Sequence, residues 1–273
     1  MNRIANIISS IDDTTLTRDL SICCQAALLG GKTIYGAYAL PRSLTYKSLK
    51  NLVTNTDLQA EVTMLSYLAQ KTPEIPVMTE ETESTHSLRF DTQCWVVDPL
   101  DGTTNFVHGF PYFATSIALI RNDQPIVGAI YAPMMDELFY AARGQGAWLN
   151  RHAITVSATD LPIAALVATG FPYDTERNLP LILTCLERIL PKIRDLRRAG
   201  AAALDLAYLA CGRVDGFYEM GLRPWDTAAG WLLAEEAGGT VTTLQGGSFS
   251  PLSSGIFASN TVLHQPLLSI LNG

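Results

Sequence analysis

Charge is scarce in this chain and leans to one sign. Of 273 residues, 16% are charged, with 19 Lys and Arg against 26 Asp and Glu, a formal net charge of −7. That balance argues against a dedicated nucleic-acid binder, which would carry a basic face. Cysteine is sparse too. Cys23, Cys24, Cys94, Cys185 and Cys211 are odd in number and show no C-x-x-C spacing, which excludes a disulfide framework or a zinc site and fits reduced thiols acting as small buried hydrophobes. The four histidines, His86, His108, His152 and His264, form no H-x-x-x-H pair. No apolar run approaches the roughly 20 residues of a membrane-spanning helix. The N-terminus has no charged-then-apolar signal pattern. Together these absences predict a cytoplasmic protein with no membrane partner. Internal repeats and low-complexity segments are also missing. What remains is 48% hydrophobic residues, enough for a large core in one big domain or two smaller ones.

The stretch Trp95-Val96-Val97-Asp98-Pro99-Leu100-Asp101-Gly102-Thr103-Thr104-Asn105-Phe106 is the most informative. Trp95 to Val97 read as the end of a buried strand. Asp98 and Asp101 follow, and two acids at the end of an apolar strand are costly to desolvate without a cation. The nearest basic residues, Arg89 and Arg121, are too far along the chain to be local partners. A hard divalent cation such as Mg²⁺ is the simplest compensation, with the Leu100 carbonyl as a further oxygen ligand. Gly102 lets the backbone approach a ligand, and Thr103 is placed to cap a short helix whose free N–H groups face an anion. The same D-P-x-D-G string is also an ordinary turn, and both readings stand on these residues alone.

Elsewhere the pattern predicts a helix from Thr15 to Tyr38, with Leu20, Cys23, Cys24, Ala27 and Leu28 on one face. Residues 40–52 read as a loop or hairpin, with Lys47 and Lys50 as solvated charges. A second helix begins at Asp57, with Leu58, Val62, Leu65 and Leu68 inward, Thr56 or Asp57 as N-cap and Glu61 in support. A short apolar stretch ends in Glu80 and Glu81, and residues 83–91 read as a polar loop. From 112 to 150 the alternation predicts an antiparallel meander. From Ala164 strands and helices alternate, including a small-residue helix at 200–211 and another from Asp226, which sits near its N-cap. This divides the chain into an α+β half, 1–152, and an α/β half, 153–273.

Four motifs, in order, resemble one family. D-P-L-D-G-T-T-N-F at 98–106 and P-W-D-T-A-A-G at 224–230 are similar to the two signatures of the inositol monophosphatase family, and T-E-E at 79–81 and V-T-N-T-D at 53–57 to its accessory motifs. The bacterial branch is the nearest in pattern, through Gly212 to Phe217 and Gly221 to Pro224. The resemblance implies an α+β fold of the sugar-phosphatase type, a layered αβαβα sandwich, and Mg²⁺-dependent hydrolysis of a phosphomonoester. It implies that Glu80, Asp98 and the Leu100 carbonyl hold one Mg²⁺, and that Asp98, Asp101 and Asp226 hold a second. Asp57 and Thr103, with Glu80, match the residues that act on the attacking water. Gly102 and Thr103 match the phosphate cradle. Asp101, Asp226, Glu219 and the Gly200-Ala201-Ala202 turn match the substrate contacts, Arg197 a substrate-proximal arginine, and Lys47 a loop contact near the metals. Li⁺ inhibition and a homodimer are further implications.

There are departures. Ala201 stands where many animal members have Thr, and Arg223-Pro224 where they have His-Cys. The metal ligands are untouched, so the substrate is what these changes put in question. Inositol 1-phosphate or a similar small polyol phosphate is the leading expectation. Histidinol phosphate, fructose 1,6-bisphosphate and 3′-phosphoadenosine nucleotides are alternatives on the same fold, and a non-catalytic, partner-binding role is another.

Overall fold

The computed structural model describes residues 14–39, 44–46, 52–82 and 92–273. Lys47, Lys50 and the loop at 83–91 lie outside the described residues. Helix α1 (Thr14–Ala37) buries Leu20, Cys23, Cys24 and Ala27 on one face, as the spacing predicts. Its Gly30 and Gly31 permit very close packing, since a Cβ at either would lie 2.6 Å from Met64 or 2.3 Å from the Tyr131 ring. Strands β1 (Leu44–Tyr46) and β2 (Leu52–Thr54) form the antiparallel hairpin that was one of two readings there.

Helix α2 (Asn55–Lys71) is rotated from its expected orientation. Its N-cap is Thr54, not Thr56 or Asp57. The Thr54 N–H donates to the Asp57 carboxylate at 2.8 Å, and the Thr54 hydroxyl accepts the Thr56 N–H at 3.1 Å. Glu61 does not support this cap. It reaches across to accept the Thr79 hydroxyl at 2.7 Å, the Glu81 N–H at 3.0 Å and the Thr82 hydroxyl. With Asp57 and Glu61 both committed inward, the buried stripe is Thr56, Asp57, Ala60, Glu61, Met64 and Leu68. Leu58 and Val62, expected inside, are 44% and 63% exposed. Hydrogen-bonded carboxylates here displace aliphatic side chains from the core face.

A seven-stranded sheet follows in chain order: β3 (Val77–Thr79), β4 (Gln93–Asp101), β5 (Ala114–Arg121), β6 (Gln124–Ala132), β7 (Glu137–Ala142), β8 (Gly146–Leu149) and β9 (His152–Ile154). β3 runs parallel to β4, and the rest is the expected antiparallel meander. Both faces of β4 are covered. Trp95 and Val97 pack with α1 and α2, while Cys94 and Val96 face the opposite way. That is why the strand reads as a continuous apolar run rather than an alternation.

The second sheet has the order β11 (Asp195–Arg197), β10 (Leu166–Thr169), β12 (Gly216–Met220), β14 (Gly255–Asn260), β13 (Gly239–Thr242). β10 is parallel to β11 and β12, and β14 is antiparallel to both its neighbours. Between the sheets lie the helices Ala202–Ala210 and Pro224–Glu236, packing Leu204, Ala207, Leu232 and Leu233 on the first sheet and Leu206, Leu209 and Trp231 on the second. The outer face of the second sheet is covered by the helices Thr175–Ile189 and His264–Asn272, through Cys185, Ile189, Leu267 and Leu271. In chain order, after the short helix α3 (Thr103–His108), these four are α4 (Thr175–Ile189), α5 (Ala202–Ala210), α6 (Pro224–Glu236) and α7 (His264–Asn272). The layers are α, β, α, β, α, the expected sandwich.

Cys23, Cys24, Cys94 and Cys185 are buried, and Cys211 is half-buried. Burial pushes the Cys94 thiol up to about 11, so it stays protonated and inert near neutral pH. Among the described residues, no helix is long and apolar enough to cross a membrane.

Candidate active site

The two acids of the central strand are brought together by one extra residue. Asp98 pairs with Ser116 and Asp101 with Ala114, so three steps along β4 oppose two along β5. Without that bulge, residues three apart on a strand point to opposite faces. With it, they share one. Pro99, which cannot donate to a ladder, sits inside the bulge, and its carbonyl accepts the Thr115 hydroxyl at 3.2 Å. The D-P-L-D spacing is thus a bulge device at a strand end rather than a free turn.

Each acid is then anchored by a backbone N–H. Asp98 Oδ1 accepts from Leu100 at 3.0 Å. Asp101 Oδ2 accepts from Ala203 at 2.8 Å. Ala201, the N-cap of α5, has no side-chain oxygen to offer, so the Asp101 carboxylate satisfies the helix start in its place. Asp226 is the third residue of α6, not its N-cap, and accepts the Arg223 N–H at 2.6 Å. Two chain segments, β4 and the start of α6, therefore contribute these carboxylates.

Electrostatics shows their proximity. Asp98 is driven well above the usual carboxylate range by burial, and further by the fields of Glu80, Asp101 and Asp226. Asp101 rises to about 7, through burial first, against the Ala203 N–H, with Asp205 and Glu80 adding to the rise. Asp226 also rises to about 7, through burial and then Asp101, opposed by the Arg223 N–H and charge. Among the described residues, no three His, Cys, Asp or Glu groups stand in a ready-made metal cluster. The two observations are compatible, because Coulombic coupling reaches well beyond a ligand bond of about 2.0–2.1 Å. Chemically the donor set suits a hard divalent cation: Glu80, Asp98, Asp101 and Asp226 are all carboxylate, and the Leu100 carbonyl, which at 3.1 Å shares the Thr103 hydroxyl proton with Asp57, keeps a second lone pair.

Beside these acids lies a hydrogen-bonded pair. The Thr103 hydroxyl donates to Asp57 Oδ1 at 2.9 Å, joining the start of α3 to the start of α2. Thr103 is therefore not a helix cap. That position belongs to Gly102, at φ 91°, without a side-chain cap. Only glycine holds this left-handed conformation without strain, and it leaves the first N–H groups of α3 without helical partners. Burial lifts the Asp57 carboxyl, while the Thr54 hydroxyl and N–H and the Thr103 hydroxyl oppose the shift.

The opposite wall comes from the second sheet. Glu219 on β12 is buried and pressed against Gly170, where a Cβ would lie 2.1 Å from its Oε2. Burial raises its pKa well above the ordinary value, with Asp205, Asp226 and Asp101 adding and Arg198 opposing. Asn105 ties this wall to the signature loop. Its amide donates to the carbonyls of Tyr112 at 2.7 Å and Ala199 at 2.8 Å, fixing the turn at Gly200, Ala201 and Ala202.

Arg197, read as the substrate-proximal arginine, is exposed and pairs with Asp195 at 2.6 Å. The two lie two residues apart on strand β11 and so share a face. The next residue, Arg198, is the one whose charge reaches Glu219 and Asp205. Sequence reasoning also missed Tyr173, more than half exposed. Its phenol is raised by partial burial and by the fields of Glu80, Asp226, Asp101 and Asp98. It missed Asn105, although that residue lies within the signature. It missed Asp205, whose signal was available as the one charge in the run A-A-L-D-L-A-Y-L-A.

A family model for the inositol monophosphatase family matches residues 16–272. The Nus factor SuhB of Escherichia coli strain K12 is 41% identical over 253 residues, covering 92% of this chain and 94% of its own. Inositol monophosphatase 2 of Solanum lycopersicum is 39% identical over 258 residues, covering 93% and 97%. The solved structure of an inositol monophosphatase from Anabaena (Nostoc) sp. PCC 7120 matches with a TM-score of 0.86 at 36% identity, covering 95% of this chain and 97% of that one. Ordered motifs, layered sandwich and these likenesses agree: the chain belongs to the inositol monophosphatase family.

Proposed function

We propose that the chain is a Mg²⁺-dependent phosphomonoesterase that hydrolyses inositol 1-phosphate or a similar small polyol phosphate. The observation that carries this reading is that Asp98 and Asp101, turned to one face by the bulge in β4, are buried together and feel the fields of Glu80 and Asp226 from other segments. A cluster of one sign is expensive unless a cation and its substrate use it. Glu80, Asp98, Asp101, Asp226 and the Leu100 carbonyl would hold the metal. When bound, Mg²⁺ supplies Lewis acidity and charge neutralisation, the main needs of phosphoryl transfer. The hydrogen-bonded pair of Asp57 and Thr103, with Glu80 nearby, orients the attacking water and holds its proton. The N–H groups of Gly102 and Thr103 face the phosphate. Glu219 and the 200–202 turn meet the hydroxyls of the leaving alcohol, and Asp101 and Asp226 border them.

Purified protein is expected to release phosphate from inositol 1-phosphate with Mg²⁺, to lose this with EDTA, and to be inhibited by Li⁺. Full activity in EDTA would end the proposal. A panel including histidinol phosphate, fructose 1,6-bisphosphate and 3′-phosphoadenosine nucleotides, ranked by kcat/KM, decides the substrate.

A relative at 41% identity bears the name Nus factor, and this favours a second reading, a regulatory, partner-binding role carried on the same fold. Asp98→Asn protein separates the two. If partner capture from a lysate persists in this site-dead variant while turnover is lost, both roles stand. If capture requires an intact site, the second role is not independent.

A further inference from the structure

Helix α2 turns two carboxylates inward where aliphatic side chains would pack, and one of them has no part in the chemistry proposed above. Asp57 holds Thr103. Glu61, one turn later on the same face, is 2% exposed. Its Oε2 accepts the Thr79 hydroxyl at 2.7 Å and the Glu81 N–H at 3.0 Å, and its Oε1 accepts the Thr82 hydroxyl. Three donors within residues 79–82 thus converge on one buried carboxylate. A glutamine has a single acceptor oxygen and could not take all three as they stand. Burying a carboxylate is costly, and charge-assisted bonds of this kind offset the cost. An aliphatic side chain would have filled this face of α2 without it.

The residue inside that grip is Glu80. Strands β3 and β4 run parallel with Thr79 beside Val97. Val97 packs on the side of α1 and α2, the side from which Glu61 reaches Thr79. One residue further along the two chains lie Glu80 and Asp98. Strand alternation turns Asp98 to the other side of the sheet, and Glu80 lies close enough for its charge to act on it. Glu61 therefore holds the chain on both sides of Glu80, through the side chain of Thr79 and the backbone of Glu81. Asp57 does the like for a second segment, since the Thr103 hydroxyl that it binds at 2.9 Å lies 3.1 Å from the Leu100 carbonyl. Two carboxylates four residues apart on one helix thus tie it to both segments, one carrying Glu80 and the other Leu100.

We propose that Glu61 is a positioning residue for Glu80: its clamp on Thr79, Glu81 and Thr82 holds the Glu80 carboxylate ready beside Asp98 and so sets the affinity for Mg²⁺. The inference rests on the metal-dependent phosphatase reading above. Groups behind a metal ligand that fix its orientation typically change affinity or activity about 10–100-fold when removed. Without the clamp, the 79–82 segment is ordered only when the metal binds, and that loss of conformational freedom weakens binding. At saturating Mg²⁺ the Glu80 carboxylate is in place with or without the clamp. The effect of Glu61 therefore falls on metal affinity and not on kcat.

The test titrates the whole protein with Mg²⁺ alone by calorimetry, and separately follows phosphate release from inositol 1-phosphate against Mg²⁺ concentration. Glu61→Ala is expected to raise the Mg²⁺ Kd about tenfold, with kcat at saturating Mg²⁺ within about twofold of wild type. Glu61→Gln, whose one oxygen can keep the Thr79 and Glu81 bonds, should lose less, a partial rescue. Thr82→Val removes a single donor at an exposed position. It should raise Kd by a smaller factor, and it carries the test if Glu61→Ala fails to fold. In a Glu80→Gln background, Glu61→Ala should change Kd no further, because the clamp acts through Glu80. An unchanged Kd in the folded variants, a loss of kcat at saturating Mg²⁺, or an additive loss in the Glu80→Gln background would overturn the proposal. Wild-type protein that binds Mg²⁺ yet releases no phosphate from any substrate of the panel overturns the phosphatase reading, and the Kd comparison still decides the clamp. Wild-type protein that binds no Mg²⁺ overturns both.

Discussion

Asp98→Asn is expected to abolish phosphate release and, in the presence of EDTA at pH 8, to raise the melting temperature. The loss follows from removing the most central of the four acids, and about three orders of magnitude in kcat corresponds to about 4 kcal/mol of transition-state stabilisation. The gain in stability follows from the pKa directions. Asp98 is lifted by burial and then by Glu80, Asp101 and Asp226. A carboxyl whose folded pKa exceeds its unfolded value binds protons more tightly in the fold. Its ionisation therefore costs stability that is fully retained below the unfolded pKa and lost as pH rises through the folded one. For its neighbours Asp101 and Asp226 that loss runs from the model-peptide range up to about 7. Replacing Asp98 by an isosteric amide removes its own cost and relaxes the others, while its Oδ1 still accepts the Leu100 N–H. The melting temperature is thus expected to differ little from wild type at pH 4 and to exceed it by several degrees at pH 8, at roughly 2–4 °C per kcal/mol for a chain of this size. Mg²⁺ should reverse the order, stabilising wild type more than the variant. A variant that melts below wild type at pH 8 in EDTA would show that these acids are not mutually strained.

Gly230→Val is expected to cause the largest loss of stability of any single change in the middle layer. Gly230 lies on α6 where it crosses α5, and a Cβ there would sit 2.5 Å from Leu206 Cβ and 2.6 Å from its Cδ1. No ordinary contact is that short, and since the Leu206 Cβ does not move with its rotamer, the helices must part. Overpacking of this kind costs about 1–3 kcal/mol or more. The site lies downstream of the same contact. Asp226 is one turn earlier on α6, and Asp101 is bonded to the start of α5. Separating the helices separates those carboxylates, and activity at 25 °C should fall even where the protein remains folded. Leu206→Ala provides the control. It leaves a cavity alone, yet with Gly230→Val it should restore part of the melting temperature and part of the activity, because it removes the Leu206 Cγ and Cδ1 contacts while the Cβ contact remains. If the double variant melts lower than either single one, the close approach at this crossing is not what Gly230 serves.

How much of this was legible beforehand can be judged residue by residue. The apolar run at 94–97 announced a buried strand, and the acids behind it announced an unusual strand end. Leu20, Cys23, Cys24 and Ala27 gave the inner face of α1 from spacing alone. The inner face of α2 was misread because Asp57 and Glu61 were assigned to the helix cap alone, while the fold buries both with hydrogen-bond partners.

The sequence by itself determined the parts: strands and helices from periodicity, a set of oxygen donors from composition, and the family from four ordered motifs. Tertiary structure alone decided their meeting. A bulge of one residue turns Asp98 and Asp101 to the same face, a missing cap on α5 draws in Asp101, and a rotated α2 places Asp57 against Thr103. The physical reason is range. Periodicity and turn chemistry act over a few residues, whereas Asp98 and Asp226 influence one another across more than a hundred positions of chain, through a field that exists only after the layers have packed.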